Sequence, residues 1–301
     1  MNKKLLFIYN PTAGRGLIKQ SLFDIIEIFA SNGYEVVAHP TLERLDAFSA
    51  AEAATESLIV CSGGDGTLNE TISGIISSGN NIPLGYIPAG TMNDFANCRK
   101  IPLNMTAAAE LICGGCPVKT DIGAFTAAAE PEKIAYFNYV AAFGMFTEVS
   151  YDTPSRMKNT FGVFAYLMRG LASLPNIKPI EVTIEHDGEC VSGEFLFGMA
   201  ANSTSVGGIK GLTGNDVELD DGLFECVFVR AIPSSEIGQL ASAIAEGEFK
   251  NKMFYTFKAS ELRISSESPL LWTLDGERGG DHSDVKISCL HRALTIIAGA
   301  G

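Results

Sequence analysis

The sequence predicts an α/β N-terminal domain built on a parallel sheet, followed by a β-rich, sandwich-like C-terminal domain. Three observations predict it. Up to about residue 120, short apolar runs alternate with stretches of helical spacing, the pattern of a parallel sheet with helices on both faces. Beyond that point the runs are short, β-branched or aromatic, and punctuated by turns such as His186-Asp187-Gly188 and Asp220-Asp221-Gly222. The length, 301 residues, suffices for two full cores.

The elements follow in order. In the first domain, set at residues 1–123, strands are expected at 4–9, 34–38, 58–61 and 84–87. Helices are expected at 20–30, where Leu22, Ile25, Ile26 and Phe29 share a face, and at 45–54, 68–76 and 106–112. The second domain, residues 124–301, starts at an alanine-rich run, and its last residues are expected to return to the first. Its strands are expected at 136–142, 180–186, 194–199, 223–229, 253–258, 262–265, 270–274, 285–289 and 293–297. Helices are expected at 161–174 and 233–246.

Composition narrows the function. A 46% hydrophobic, 19% charged chain is globular. The net charge of −13 argues against nucleic acid, whose phosphates need a basic surface. Polar residues interrupt every apolar stretch well before a bilayer span. Lys3-Lys4 and the following apolar run resemble a signal peptide only as far as Asn10-Pro11, so a buried first strand is expected instead. Seven scattered cysteines fit a reduced, cytoplasmic protein. The pair Cys113 and Cys116 lacks the second pair or nearby histidines of a zinc site. The four histidines show no ligand spacing.

Three glycine-bearing runs each follow an expected strand: Asn10 to Gly16, Gly63-Gly64-Asp65-Gly66-Thr67, and Pro88-Ala89-Gly90-Thr91. In a parallel sheet that places them all at the ligand-binding edge. Glycines let backbone N–H groups approach phosphate oxygens, and a helix opening near Leu68 would aim its positive end there. Thr67 could cap that helix or donate its hydroxyl. A carboxylate at Asp65 beside a polyphosphate is repulsive unless a cation lies between, which points to magnesium; the alternative is a simple Asx-turn. The runs are neither a dinucleotide fingerprint nor a Walker A loop, because GxGxxG and Gly-Lys-Ser/Thr are both missing.

These runs, extended to Leu68-Asn69-Glu70 and to Met92-Asn93-Asp94-Phe95-Ala96, resemble the signatures of the diacylglycerol kinase catalytic-domain family, to which bacterial soluble lipid kinases belong. Asp121-Ile122-Gly123, Phe137-Asn138, Asp220-Asp221-Gly222-Leu223 and Leu274-Asp275-Gly276-Glu277 resemble later motifs in the same order, so the likeness spans nearly the whole chain. It implies a Rossmann-like three-layer first domain, ATP and magnesium as cofactors, and phosphoryl transfer to a lipid hydroxyl, with diacylglycerol the default acceptor. The nucleotide would contact Asn10, Pro11, Thr12, Ala13, Gly14, Thr41, Gly64, Asp65, Gly66, Thr67, Leu68, Asn69, Glu70 and Thr91. Glu277 would accept the hydroxyl proton, with Asp275 beside it and Asp65 serving catalysis through the metal. A structural magnesium would sit on Asp221 and the main-chain oxygens of Glu218 and Leu223, while Asp94 and Asp121 would support the catalytic magnesium.

An alcohol attacking phosphorus needs a base at its proton and positive charge on the phosphoryl oxygens. Asp275-Gly276-Glu277 offers two carboxylates in one tight turn. Two rivals remain. A related NAD kinase would share the GGDGT run but not Pro88-Ala89-Gly90-Thr91-Met92-Asn93-Asp94-Phe95-Ala96. A catalytically silent lipid- or nucleotide-binding protein would have no need of Asp65 and Glu277. Residues 151–180 hold Arg156, Lys158, Arg169 and Lys178 against one acid, Asp152, with an apolar stretch between. This segment is expected either to dock at an anionic membrane surface during turnover or to pack in the core or at a homodimer contact.

Overall fold

A computed structural model of the chain describes residues 3–90, 93–144, 179–203, 205–206, 209–210 and 217–299. The expected helix at 161–174 lies outside them. Contacts divide the chain into two units, Met1–Thr120 with Arg292–Gly301, and Asp121–His291.

In the first unit β1 (Lys3–Tyr9), β2 (Tyr34–Pro40), β3 (Leu58–Gly63) and β4 (Leu84–Pro88) form a parallel sheet in the order β2-β1-β3-β4. Leu5, Leu6, Phe7 and Ile8 are all buried, so β1 is apolar without alternation, as a strand covered on both faces must be. The crossovers carry α1 (Ile18–Ser31), α2 (Asp46–Glu52) and α3 (Asp65–Ser78). The chain steps one way from β1 to β2 and the other way from β2 to β3. Right-handed crossovers therefore put α1 and α2 on opposite faces. Contacts agree: α1 packs with α5 (Met105–Gly114), and α2 with α3. At the second contact a Cβ on Gly74 would stand 2.3 Å from the Phe48 carbonyl oxygen, so only glycine fits.

The second unit is antiparallel. It contains β7 (Val140–Gly144), β8 (Ile180–His186), β9 (Glu189–Ala201), β12 (Phe224–Arg230), β13 (Phe254–Ala259) and β14 (Glu261–Leu274). Both β7 and β8 lie between β9 and β14, each pairing with a different half of those long strands. Beyond β9 follow β12 and β13. A two-residue ladder joins β10 (Ser205–Val206) to β11 (Ile209–Lys210). Phe137, Phe143, Phe195, Phe224, Phe228 and Trp272 fill one core. A second core forms where Leu240 and Ile244 of α6 (Ile237–Glu246) meet Met199, Val227 and Val229. The architecture is thus an α/β domain joined to a strand-rich, sandwich-like one.

Several elements depart from expectation. α3 opens at Asp65 rather than near Leu68, with Gly64 as its cap. Thr67 therefore stands inside the first turn and does not cap. Neither α4 (Asp94–Cys98) nor β5 (Cys116–Ala127) has an expected counterpart. The first is too short for periodicity, and the second mixes glycine, alanine and polar residues. Residues 136–142 form two strands, β6 (Ile134–Phe137) and β7, parted at Asn138-Tyr139. Residues 262–274 form a single strand, β14, with a register shift between Ser265 and Leu270. Residues 277–298 likewise form one strand, β15 (Glu277–Ala298), which continues through Arg292 at φ 52°.

Candidate active site

Parallel strands that end in register bring their following loops together. Tyr9 pairs with Pro40 and with Ser62, and Gly63 pairs with Pro88. Asn10, Thr41, Gly64 and Ala89 therefore leave the same sheet edge. β1 and β3 flank the point where the strand order reverses, the position at which such sheets hold ligands.

The loops interlock through glycine. A Cβ on Gly14, which has φ +54°, would stand 2.3 Å from the Ala89 carbonyl oxygen. A Cβ on Gly90 would stand 2.7 Å from the Gly64 Cα, and one on Gly63 would stand 2.5 Å from the Thr67 Cβ. Glycine here serves packing of loop on loop as well as any phosphate.

Side chains then fix each loop. The Asn10 Oδ1 accepts from the Thr12 N–H at 2.9 Å, the Thr12 hydroxyl at 2.8 Å and the Ala13 N–H at 3.2 Å. Its Nδ2 donates to the Thr67 Oγ1 at 3.4 Å, tying the first loop to α3. Asn93, at φ 53°, accepts from the Gly90 N–H at 2.9 Å and donates to the Gly90 carbonyl at 3.0 Å. That ring encloses Thr91, which itself lies outside the described residues. The Thr41 N–H donates to the Tyr9 carbonyl at 2.9 Å.

Asp65 is the first residue of α3, where the helix dipole favours a carboxylate. Buried Tyr86 donates its hydroxyl to the Gly63 carbonyl at 3.0 Å. Burial and the nearby Asp65 hold that hydroxyl well above its ordinary pKa, so it stays a donor. Pro11, Ala13, Gly66, Asn69 and Glu70 are half-buried around these loops, whereas the Leu68 side chain belongs to the core at 1% exposure. Asp94 opens α4 directly after the Asn93 ring.

In the second unit, Asp275 and Gly276 join β14 to β15 in a two-residue hairpin, both at positive φ (51° and 82°). Such a turn demands Asp-Gly or its like. The Asp275 carboxylate is 5% exposed and accepts from the N–H groups of Asn138 (2.6 Å), Tyr139 (3.0 Å) and Val140 (3.1 Å). The Tyr139 hydroxyl donates to the Asp275 carbonyl at 2.8 Å. Asp275 thus anchors the hairpin and forces the break between β6 and β7. Glu277, next in the turn, is exposed. Of the two carboxylates, Glu277 is the one open to a substrate.

The other acidic turn is Asp220-Asp221-Gly222. Asp121, with no exposed surface, accepts the Gly222 N–H at 2.6 Å, and its own N–H donates to the Leu219 carbonyl at 2.9 Å. The Asp121 carboxylate therefore organises this turn. Asp221 accepts from the Leu223 N–H at 3.0 Å, and His291 contacts the Asp220 carbonyl at 2.9 Å. Glu218 is exposed beside them. Carboxylate and carbonyl oxygens in a turn are the hard donors that magnesium or calcium takes, so the residue types fit such an ion.

Sequence reasoning missed Glu225, Lys258 and Cys289 around this turn. The Lys258 ammonium lies 3.0 Å from Glu225 and 3.6 Å from Asp221. Burial pushes the Glu225 carboxyl above its ordinary pKa against the pull of Lys258. Burial lowers the Lys258 pKa, but Glu225 and Asp221 outweigh it and the net direction is up. Burial and Asp121 push the Cys289 thiol up. Only the strand register reveals this group, because no spacing in the sequence signals it.

Comparison with known proteins decides the family. Residues 4–125 match the model of the diacylglycerol kinase catalytic domain. Residues 141–298 match that of the YegS C-terminal NAD kinase beta sandwich-like domain. A diacylglycerol kinase of Staphylococcus epidermidis is 38% identical over 285 residues, covering 93% of this chain and 87% of the relative. One from Staphylococcus saprophyticus is 35% identical over 284 residues, covering 93% and 90%. The chain belongs to the diacylglycerol kinase family. It is a lipid kinase, and as a kinase it takes ATP as substrate. A crystal structure of a putative diacylglycerol kinase from Bacillus anthracis superposes with a TM-score of 0.83 at 26% identity, covering 99% of this chain and 95% of the other. Among the described residues, no helix is long and apolar enough to cross a membrane.

Proposed function

We propose that this kinase transfers the γ-phosphoryl group of ATP to the hydroxyl of diacylglycerol, giving phosphatidic acid and ADP. The observation that carries the reading is the interlocked trio of loops at one sheet edge, together with an exposed glutamate on an anchored turn. Residues 10–14 and 64–70, with Thr41 and Thr91, contact the nucleotide. The lipid hydroxyl oxygen attacks the γ-phosphorus, its proton passes to the Glu277 carboxylate, and the bond to the ADP oxygen breaks. Asp275 positions Glu277 by fixing the hairpin.

Asp65, with Asp94 and Asp121 as the family likeness implies, would hold a catalytic magnesium, although the Gly222 N–H that Asp121 accepts ties its carboxylate to the other acidic turn. Asp221, with the main-chain oxygens of Glu218 and Leu223, would hold a second ion. Magnesium, when bound, supplies positive charge against the phosphoryl oxygens.

Labelled ATP offered with a panel of lipids at several magnesium concentrations tests the substrate. Phosphatidic acid should be the main product; preference for a sphingoid base, phosphatidylglycerol or a polyprenol would overturn the acceptor. Glu277→Gln should bind ATP as the wild type does and lose most phosphoryl transfer, and wild-type turnover in it would remove Glu277 as the base.

The lipid has to be met at a surface, although the chain is strongly acidic. Residues 151–180, outside the described residues except 179–180, carry the basic side chains for that contact. Arg156→Glu with Lys158→Glu should weaken binding to anionic vesicles at low salt. Unchanged binding would favour packing or a homodimer contact for that segment.

A further inference from the structure

The turn at Asp220-Asp221-Gly222 lies in a strongly acidic setting. Glu225 is 3% exposed and Asp121 is fully enclosed, with Asp221 half-buried beside them. The two Glu225 oxygens are shut off from solvent, and among the described residues one ammonium reaches them. That ammonium is Lys258, 3.0 Å from the Glu225 Oε1 and 3.6 Å from the Asp221 Oδ2. Its place is set by the backbone, because β12 and β13 pair with Glu225 directly opposite Lys258, where opposite charges attract across a sheet. A buried carboxylate without a counter-charge is strongly unfavourable, so something positive must stand here.

We propose that Lys258 is a tethered cation standing in for a divalent ion at this turn. Its ammonium neutralises Asp221 and Glu225, so the turn keeps its shape without metal, and a divalent cation competes with Lys258 for the same carboxylates. The inference rests on the reading of Asp221 as a cation-binding residue. It differs from that reading in naming the residue that makes the metal dispensable for folding.

The test is thermal unfolding of the full chain without ATP, in chelator and across a magnesium series. The wild type should stay folded in chelator and gain less from magnesium than the Lys258→Met variant does. Lys258→Met should unfold several degrees lower in chelator and recover, saturably, with magnesium. Lys258→Arg, which keeps the charge, should gain no more from magnesium than the wild type, and a chain carrying both Lys258→Met and Glu225→Gln should need less metal.

Adding Asp221→Asn to Lys258→Met should abolish the recovery. Three results would overturn the proposal: Lys258→Met as stable as wild type in chelator, a destabilised Lys258→Met that magnesium does not restore, or a wild type that gains as much from magnesium as the variant. Recovery that persists after Asp221→Asn would instead remove Asp221 from the cation site, which is failure of the underlying reading. If Lys258→Met is recovered folded only when produced in magnesium, that supports the proposal. If it is recovered in neither condition while Lys258→Arg folds but gains more from magnesium than the wild type, the proposal fails.

Discussion

A carboxylate that accepts three backbone N–H groups in a buried site is difficult to replace. Asp275→Ala leaves the Asn138, Tyr139 and Val140 donors without their acceptor. The expected cost is about 2–4 kcal/mol, readable as a lower urea midpoint at unchanged slope. Turnover should fall with it, because the hairpin that presents Glu277 loses its anchor. Glu277→Gln makes the contrast: the residue is exposed, so its unfolding free energy should stay within roughly 0.5 kcal/mol of wild type while phosphoryl transfer is lost. Coincident stability curves with sharply different rates would separate the two carboxylates. The sequence showed both residues and the tight turn. It could not show which carboxylate is occupied, because the donors lie some 135 positions earlier in the chain. The same holds for Asp121, whose motif is legible but whose partner, Gly222, is known only from the fold.

At the scale of elements, the parallel half was legible because each strand is a plain apolar run and each helix keeps its period. The short α4 and the long mixed β5 were not, since neither carries a periodic signal. The glycine loops were legible as phosphate cradles, but their second constraint was not. Gly90→Ala should push against the Gly64 Cα, separate the second and third loops, and raise the KM for ATP at least tenfold while the protein remains folded. An unchanged KM would show that the interlock does not shape the nucleotide site.

In the β14–β15 ladder, Arg263 donates to Asp284 at 2.8 and 2.5 Å. The hydrogen bond from Arg263 holds the Asp284 carboxyl below its ordinary range, against a smaller opposing effect of burial. A folded-state pKa below the unfolded one contributes stability that is present above the unfolded value and lost as pH falls through the folded one. Arg263→Gln should therefore flatten the acid limb of the stability–pH curve below about pH 4. The pair is largely open to solvent, which screens it, so the effect should be small.

At the scale of the whole molecule, the first unit is discontinuous in sequence: the chain leaves it after Thr120 and returns at Arg292. The returning end of β15 pairs in parallel with β4, Ile296 beside Leu84. Leu294 has no exposed surface and Ile296 has 2%. Burying two such side chains contributes roughly 3–6 kcal/mol, a large share of the 5–15 kcal/mol that holds a domain together. The loss also bares the edge of β4, the strand that delivers Ala89 and Gly90 to the candidate site, and an open parallel edge cannot be covered by a local turn. Deleting residues 292–301 should therefore strip hydrogen-exchange protection from β4 and β3 and abolish ATP binding, although every loop residue of the site is retained. Asp275 and its partners all lie between residues 138 and 275, so the amides of Asn138, Tyr139 and Val140 should keep their protection in the same truncated protein. Equal loss of protection in both units would show that they unfold as one, and full protection of β4 would show that the returning strand is dispensable.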